Sequence, residues 1–128
     1  MVREVLAVAA GGALGSLARY ALLLAFSLLG SAWLPMATLA ANLIGCLAMG
    51  FVAQWSLQAG WEQHWAAVGI RIGLLGGLTT FSSFALDSLR IWHAERLVGA
   101  AWLVTAHVAF GLAAAALGIW LARSCAPA

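Results

Sequence analysis

The residues best able to do chemistry in this chain are uncharged hydrogen-bond donors concentrated in residues 76–84, which read GGLTTFSSF. On a helix, Thr80 and Ser83 fall on one stripe, and Thr79 and Ser82 fall on the next. Hydroxyl groups donate hydrogen bonds without carrying a charge. This run therefore offers neutral donors to a small anion.

Two aromatic and two polar residues extend this set. Phe81 and Phe84 are three residues apart and share one face, while Thr38 and Asn42 are four apart on an earlier helix. An aromatic ring has a positive edge, and the asparagine amide is a donor. Together these residues favour an anion over a cation, although phenylalanines at this spacing also fit a face that packs against lipid or the protein core.

Acid–base and metal chemistry find little support in the sequence. The carboxylates fall at predicted helix ends, in loops or toward the end of the third helix; they are Glu4, Glu62, Asp87 and Glu95. No Ser–His–Asp set and no Cys/His cluster has suitable spacing, because the histidines lie in separate segments. These patterns argue against an enzyme and against a proton-driven transporter, which needs a membrane-embedded carboxylate.

Four membrane-spanning helices must position these residues. Hydrophobic residues make up 65% of the chain and charged residues 8%, against about a quarter charged in a soluble domain. No charged residue occurs in 20–61 or in 97–122, and each stretch exceeds the roughly 20 residues that cross a bilayer. We predict one transmembrane domain, 1–128, with helices at about 5–29, 35–55, 65–92 and 96–123.

The third helix is predicted to break at its centre. Gly76 and Gly77, followed by two threonines, make a poor continuous helix, and a break inside a membrane frees backbone groups that can hold an ion. Close packing is the alternative, because Gly69, Gly73 and Gly77 form small-xxx-small pairs. Both can hold, with Gly69 and Gly73 serving packing and Gly76 and Gly77 the break.

The arginines give no preferred orientation in the membrane. An even number of helices puts both termini on one side, and the two sides then carry Arg3, Arg71 and Arg123 against Arg19, Arg90 and Arg96. Equal counts leave the positive-inside rule without a preference, so oppositely inserted copies can pair as an antiparallel dimer. The alternative is that a partner or an insertion factor fixes one orientation. The scattered arginines also argue against nucleic-acid binding.

Residues 76–84 resemble the signature of the Fluc/CrcB family of fluoride channels. Motifs in the other helices match as well, so the similarity covers the whole chain. These motifs are Gly11-Gly12 with Gly15, Arg19 and Tyr20; Thr38 with Asn42 and Gly45; and His107-Val108.

The resemblance implies an all-α, dual-topology homodimer with antiparallel fluoride pathways. Backbone carbonyls of Gly76 and Thr79 from both subunits would hold one structural Na⁺ at the dimer centre, and Arg19 would lie in an aqueous vestibule. The residues that would line the ion pathway are Thr38, Asn42, Thr80, Phe81, Ser83, Phe84 and His107. The expected activity is passive, selective export of fluoride across the inner membrane of a prokaryote, which gives fluoride resistance.

The chain departs from the family pattern at a few positions. Ala37, Ala85, Asp87 and Phe110-Gly111 stand where Gly, Ser, Glu and Gly-Ser are usual. Gly111 therefore lacks a hydroxyl that the pathway normally has. His107 is interpreted in two ways, as a donor in this part of the pathway or as a packed histidine whose hydrogen bonds stay within the protein.

Two other functions remain as alternatives. A small multidrug-type, proton-coupled antiporter has a similar size, four helices and dual insertion, but it needs a membrane-embedded Glu in helix one, and residues 5–29 contain none. A non-transporting assembly subunit of a membrane complex would carry no ion at all. Flux through the purified protein in liposomes separates the three functions.

Overall fold

The computed structural model describes residues 1–94 and 96–125, which form helices joined by short connections. Within these described residues, four spans are long and apolar enough to cross a membrane: Val2–Ser27, Ser31–Gln58, Trp65–His93 and Leu97–Ser124. This confirms the prediction of an all-helical chain that crosses the membrane several times. Glu95, which the sequence places in a connection, lies outside the described residues.

The four spans contain six α-helical segments. The first span is α1, Val2–Ser27, and the second is a short 3₁₀ turn, Ser31–Trp33, followed by α2, Leu34–Gln58. The third span consists of α3, Trp65–Val68; a π-helix, Gly69–Leu75; α4, Gly76–Leu78; and α5, Phe81–His93. The fourth span is α6, Leu97–Ser124.

The helix ends differ by a few residues from those predicted, most clearly at the end of α2. The polar residues from Ser56 onward predict a loop, but α2 continues to Gln58. Ser56 is fully buried, and its hydroxyl donates to the Ala53 carbonyl oxygen at 3.1 Å. The helix therefore satisfies the polar side chain internally, and the turn comes later, at Gly60 with a φ of 70°.

Glycines bring α1 against the third span. A Cβ atom added at Gly15 would meet the backbone of Leu74 and Leu78, and one at Gly73 would lie 2.7 Å from the Val8 carbonyl oxygen. Such contacts between backbones are the reason that small residues occupy membrane helix interfaces. Gly69 and Gly73 thus lie where their small-xxx-small spacing indicates.

Helices α2 and α6 pack on each other in the same way. A Cβ atom at Gly50 would meet the backbone of Ala115, and one at Gly118 would meet the backbone of Leu47 and Phe51. The first span is therefore paired with the third, and the second with the fourth.

Two extended residues separate α4 from α5. Thr79 has φ −80° and ψ 149°, and Thr80 has φ −151° and ψ 116°. The pair Gly76-Gly77 is helical, so the interruption follows the glycines instead of falling on them. Gly77 serves packing, because a Cβ atom there would lie 2.7 Å from the Gly12 carbonyl oxygen.

The π-helix is a feature that the sequence did not predict. The Gly76 amide donates to the Arg71 carbonyl oxygen, five residues earlier, which is the π-helical pattern. This wider turn contains Gly69 and Gly73, both buried. It therefore sets the register between α1 and the residues that follow, including the extended pair.

Candidate functional site

The side-chain amide of Asn42 holds the backbone of the extended pair. The Thr80 amide donates to Asn42 Oδ1 at 2.7 Å, and Asn42 Nδ2 donates to the Thr80 carbonyl oxygen at 3.1 Å. A backbone group with no partner in an apolar environment costs several kcal/mol. The Asn42 side chain therefore replaces the helical hydrogen bond that the Thr80 amide gives up. Its second bond goes to a carbonyl that, at the N-cap, also accepts the first bond of α5.

Thr80 is also the N-cap of α5. Its Oγ1 accepts a hydrogen bond from the Ser83 amide at 3.2 Å and donates to Ser83 Oγ at 3.2 Å. It also lies 3.1 Å from Ser82 Oγ. Threonine is a favoured N-cap because its oxygen satisfies an amide that has no helical partner.

The hydroxyl groups are grouped differently from the two predicted stripes. Thr80, Ser82 and Ser83 form one cluster. The Thr79 hydroxyl points back along α4 and donates to the Leu75 carbonyl oxygen at 2.9 Å. The donors available at the start of α5 are therefore those of the cluster, and Thr79 serves to close the preceding helix.

Two cavities lie on either side of the extended pair. The first, about 230 Å³, is lined by Ser16, Arg19, Tyr20, Leu23, Ala37, Thr38, Thr80 and Ser83. The second, about 350 Å³, is lined by Asn42, Gly45, Cys46, Met49, Thr79, Thr80, Phe81, Phe84, His107 and Val108. Each residue that the sequence assigned to the pathway or the vestibule lines one of these cavities. Thr80 lines both.

Charge is confined to one of the two cavities. Arg19 is the charged residue of the first cavity, and neither cavity is lined by a carboxylate among the residues described. The first cavity therefore attracts anions, while the second presents neutral polar groups and aromatic rings. This arrangement suits an anion that is first attracted by a charge and then held by neutral donors.

The aromatic residues of the second cavity form a continuous stack with a histidine. The rings of Phe81 and Phe84 meet edge to face, with centroids 5.4 Å apart and planes inclined at 64°. Phe84 then packs on the His107 ring at 4.3 Å and 33°. Phe84 is partly buried by these contacts, whereas Phe81 is 78% exposed on the surface of the single chain.

The hydrogen bonds of His107 define its tautomer when the ring is neutral. Nδ1 lies 3.0 Å from the Leu103 carbonyl oxygen. Because a carbonyl only accepts, Nδ1 carries the proton and Nε2 is left as an acceptor. Nε2 is buried and has no partner among the described residues. His107 is thus packed and bonded within its own helix, and one of its polar atoms remains unpaired beside the Phe84 ring.

The carbonyl groups of Gly76 and Thr79 lose their helical donors. In a continuous helix these carbonyls would accept from the Thr80 and Ser83 amides, but those amides donate to Asn42 and to the Thr80 hydroxyl. Gly76 is exposed on the chain surface and Thr79 is half-buried. Carbonyl oxygens are suitable ligands for a hard cation such as Na⁺, so these two groups fit the ion that the family resemblance implies.

Several residues of the site were not assigned to the ion pathway from the sequence, although Ser82 and Tyr20 were noted there as a stripe residue and a motif residue. Asp87 accepts a hydrogen bond from the Thr38 hydroxyl at 2.9 Å, across 49 positions of the chain. Ser16, Tyr20 and Cys46 line the cavities, and Ser82 joins the Thr80 cluster. The Thr-x-x-Ser spacing of the Thr80 cap is a local signal that sequence reasoning can use. The contact between Thr38 and Asp87 cannot be predicted from neighbouring residues, because it forms only when the two helices pack together.

Known proteins of one family are similar to this chain over nearly its full length. A family model described as CrcB-like protein, Camphor Resistance (CrcB), matches residues 6–119. Several relatives are named fluoride-specific ion channel FluC. The protein from Paracoccus denitrificans (strain Pd 1222) is 41% identical over 123 residues, covering 96% of this chain and 97% of its own.

Two further relatives with this name are equally similar. The protein from Caulobacter sp. (strain K31) is 42% identical and covers 94% of each chain. The protein from Stutzerimonas stutzeri (strain A1501) is 41% identical, covering 96% of this chain and 99% of its own. The similarity is therefore not confined to one motif or one helix.

Proposed function

The chain belongs to the CrcB-like family, and from this premise we propose that it is a fluoride-selective ion channel, not an enzyme, that exports fluoride passively down its gradient. The observation that carries the proposal is the pair of cavities that meet at Thr80, one holding Arg19 and the other Phe81 and Phe84. The full-length likeness to proteins named as fluoride channels supports the same ion. The membrane we propose is the inner membrane of a bacterial cell.

The main physical task of such a channel is to remove water from fluoride. Arg19 raises the local concentration of anions at the first cavity. The Ser83 hydroxyl, which accepts the Thr80 proton and keeps its own, then offers a donor that replaces water. The edges of the Phe81 and Phe84 rings continue the path. Because these groups are neutral, they bind the ion weakly enough for it to leave.

The two alternative functions have no support from the comparisons. The small multidrug-type antiporter needs a membrane-embedded Glu, and no carboxylate lines either cavity among the described residues. An assembly subunit needs no ion path at all. The relatives named above are all ion channels by name.

Fluoride efflux from liposomes tests the proposal. The purified protein is expected to release fluoride when a potassium ionophore balances charge, with no need for a proton gradient and with little chloride release. Phe81→Ile is expected to abolish or strongly reduce this flux while folding is kept, since the exposed ring contributes little to packing within the chain. Drug–proton exchange, or no flux of any ion, would overturn the proposal.

We further propose that two copies pair as an antiparallel, dual-topology homodimer. Phe81 and Gly76 are exposed on the single chain although both belong to the functional region. A second copy that covers them completes the path, and the balanced arginines allow both orientations. Adding two lysines at one terminus should bias insertion and lower the flux of that variant expressed alone. Coexpression with an oppositely biased variant should restore the flux, and full activity of either variant alone would contradict dual topology.

A structural Na⁺ at the dimer centre is the last part of the proposal. The carbonyls of Gly76 and Thr79, freed of their helical donors, would hold it in both copies. A bound cation would offset the charge of a passing anion at long range. Purification with a larger cation in place of Na⁺ should weaken the dimer in size-exclusion chromatography. An unchanged dimer under strictly Na⁺-free conditions would argue against this site.

A further inference from the structure

A third cavity, separate from the two that flank Thr80, opens at one end of the helical bundle. It measures about 760 Å³ and lies where α2 begins, α5 ends and α6 begins. None of its lining residues lines either of the other two cavities. We infer that this cavity is a binding site for an anionic phospholipid, with the phosphate at its mouth and an acyl chain along its wall.

Among the residues that the structure describes, those lining the cavity carry a net positive charge. Arg90 and Arg96, both exposed, contribute two guanidinium groups, and Asp87 contributes one carboxylate. The carboxylate already accepts a hydrogen bond from the Thr38 hydroxyl at 2.9 Å, on the α2 side. Arginine presents several N–H groups in a plane and binds a phosphate with two parallel hydrogen bonds. The charge and the residue type therefore select an anionic headgroup.

The wall of the cavity is apolar. It is formed by side chains such as Leu34, Met36, Ile91, Leu97 and Leu103. A free phosphate ion would gain nothing from these side chains, whereas an acyl chain gains by burial against them. A ligand that combines a phosphate with a long hydrocarbon chain matches both parts of the cavity.

The position of the cavity along the membrane normal also fits a lipid. It lies at the ends of three helices, and Trp102 lines it. Trp33 and Trp92, more than half exposed, lie at the adjacent helix ends. Tryptophan is enriched at the level of the lipid headgroups. The guanidinium groups therefore lie at headgroup depth and the apolar wall points into the hydrocarbon.

This site does not depend on which ion the chain carries, so it can be tested by binding and stability alone. The full-length protein is purified in a neutral detergent, and its unfolding midpoint is measured with added phosphatidylglycerol, phosphatidylcholine or glycerol 3-phosphate. We expect phosphatidylglycerol to raise the midpoint by about 5 °C, and the other two to change it by about 1 °C at most. Native mass spectrometry should show one retained anionic lipid per chain.

The double variant R90Q/R96Q provides the decisive comparison. It should lose at least half of the shift caused by phosphatidylglycerol and should retain less of this lipid in native mass spectrometry. The variant R3Q/R123Q removes the same charge at the opposite helix ends and should keep the full response. If R90Q/R96Q is poorly folded, the single variant R96Q is measured instead and should show a smaller loss in the same direction.

Three outcomes would overturn the inference. An equal response of R90Q/R96Q and R3Q/R123Q would mean that general charge, and not this cavity, attracts the lipid. An equal effect of phosphatidylcholine would remove the role of the anionic headgroup. An equal effect of glycerol 3-phosphate would mean that the site binds a soluble phosphate without its chain.

Discussion

The two halves of the third span differ in how they relate to the rest of the chain. The first half, from Trp65 to Leu78, is pressed against α1, with Ala67, Gly69, Gly73, Leu75 and Leu78 buried. The second half, α5, has no buried residue in Phe81–His93. Its contacts with the rest of the chain include the hydrogen bond of Asp87 to Thr38 and the stacking of Phe84 on His107. The Thr79-Thr80 pair divides the two halves.

This difference shows how a single span can be both rigid and functional. The first half gains its stability from backbone contacts that leave no room for a larger residue. Because that half is fixed, α5 can turn its hydroxyls and rings toward the cavities instead of using them for packing. Mutations in the first half should therefore act on stability, and mutations in the second half or its partners on transport.

The largest loss of stability is expected from Gly15→Ala. Gly15 lies on the face of α1 that meets the first half of the third span. The new methyl group would collide with the Leu74 carbonyl and the Leu78 amide, which are backbone atoms. Overpacking of this kind costs about 1–3 kcal/mol, so the unfolding midpoint and the yield of monodisperse protein should fall sharply. Gly12→Ala is the matched control, since a Cβ atom there meets nothing within 4 Å. Equal losses in both variants would contradict the packing role.

A smaller loss of stability with a large loss of flux is expected from Asn42→Ala. The change removes the acceptor of the Thr80 amide, and one unpaired group costs about 1–3 kcal/mol, less where water enters. The Thr80 carbonyl keeps the first helical bond of α5. Fluoride efflux from liposomes should fall at least about tenfold, since a rise of 1.4 kcal/mol in the barrier to ion passage already slows the rate by that factor. Gln54→Ala removes another amide from α2, away from both cavities, and should keep full efflux. Unchanged efflux in Asn42→Ala would show that the hydrogen bonds between Asn42 and Thr80 are not needed for transport.

Thr38→Val should have a moderate effect that falls mainly on α5. It removes the hydrogen bond to Asp87 with little change of shape. Because Asp87 is only half-buried and water can replace the bond, we expect about 1 kcal/mol of destabilisation and a loss of efflux of a few fold. Thr38→Ser keeps the hydroxyl and should retain most of the stability and most of the efflux. If Thr38→Ser behaves like Thr38→Val, the bond to Asp87 is not the cause.

The smallest change in stability is expected at His107. Its Nδ1 bond ends on the Leu103 carbonyl, which also accepts the helical bond of the His107 amide. The ring contact with Phe84 at 4.3 Å is then the main contribution of the side chain. His107→Phe should keep efflux within about threefold. His107→Ala should lower efflux further, because without its neighbouring ring Phe84 can leave its preferred rotamer at a cost of only about 1 kcal/mol. A loss in His107→Phe as large as in His107→Ala would assign the role to the ring nitrogens.

The sequence predicted the features that depend on local composition. The four spans follow from long stretches without charge, and the close contacts of Gly69 and Gly73 follow from their spacing. The residues of the site could be named because the run 76–84 and its companions resemble a known family. Both kinds of signal lie in neighbouring residues of the chain.

The features that the sequence could not predict depend on residues far apart. The interruption falls at Thr79-Thr80 because Asn42, 38 positions away, supplies the hydrogen bonds that hold Thr80 there. The pair Gly76-Gly77 looks like the weaker point by helix propensity, but contact with α1 keeps it helical. The π-helix and the Thr38–Asp87 bond likewise exist only once the spans are packed.

The pairing of the first span with the third, and of the second with the fourth, has a consequence for how the protein is made. The ribosome produces the chain from its amino end, so α1 and α2 enter the bilayer before the spans that cover their glycine faces. The glycine face of α2 stays uncovered until synthesis is almost complete. An insertion factor that shields this face during the delay would speed assembly without being part of the finished protein.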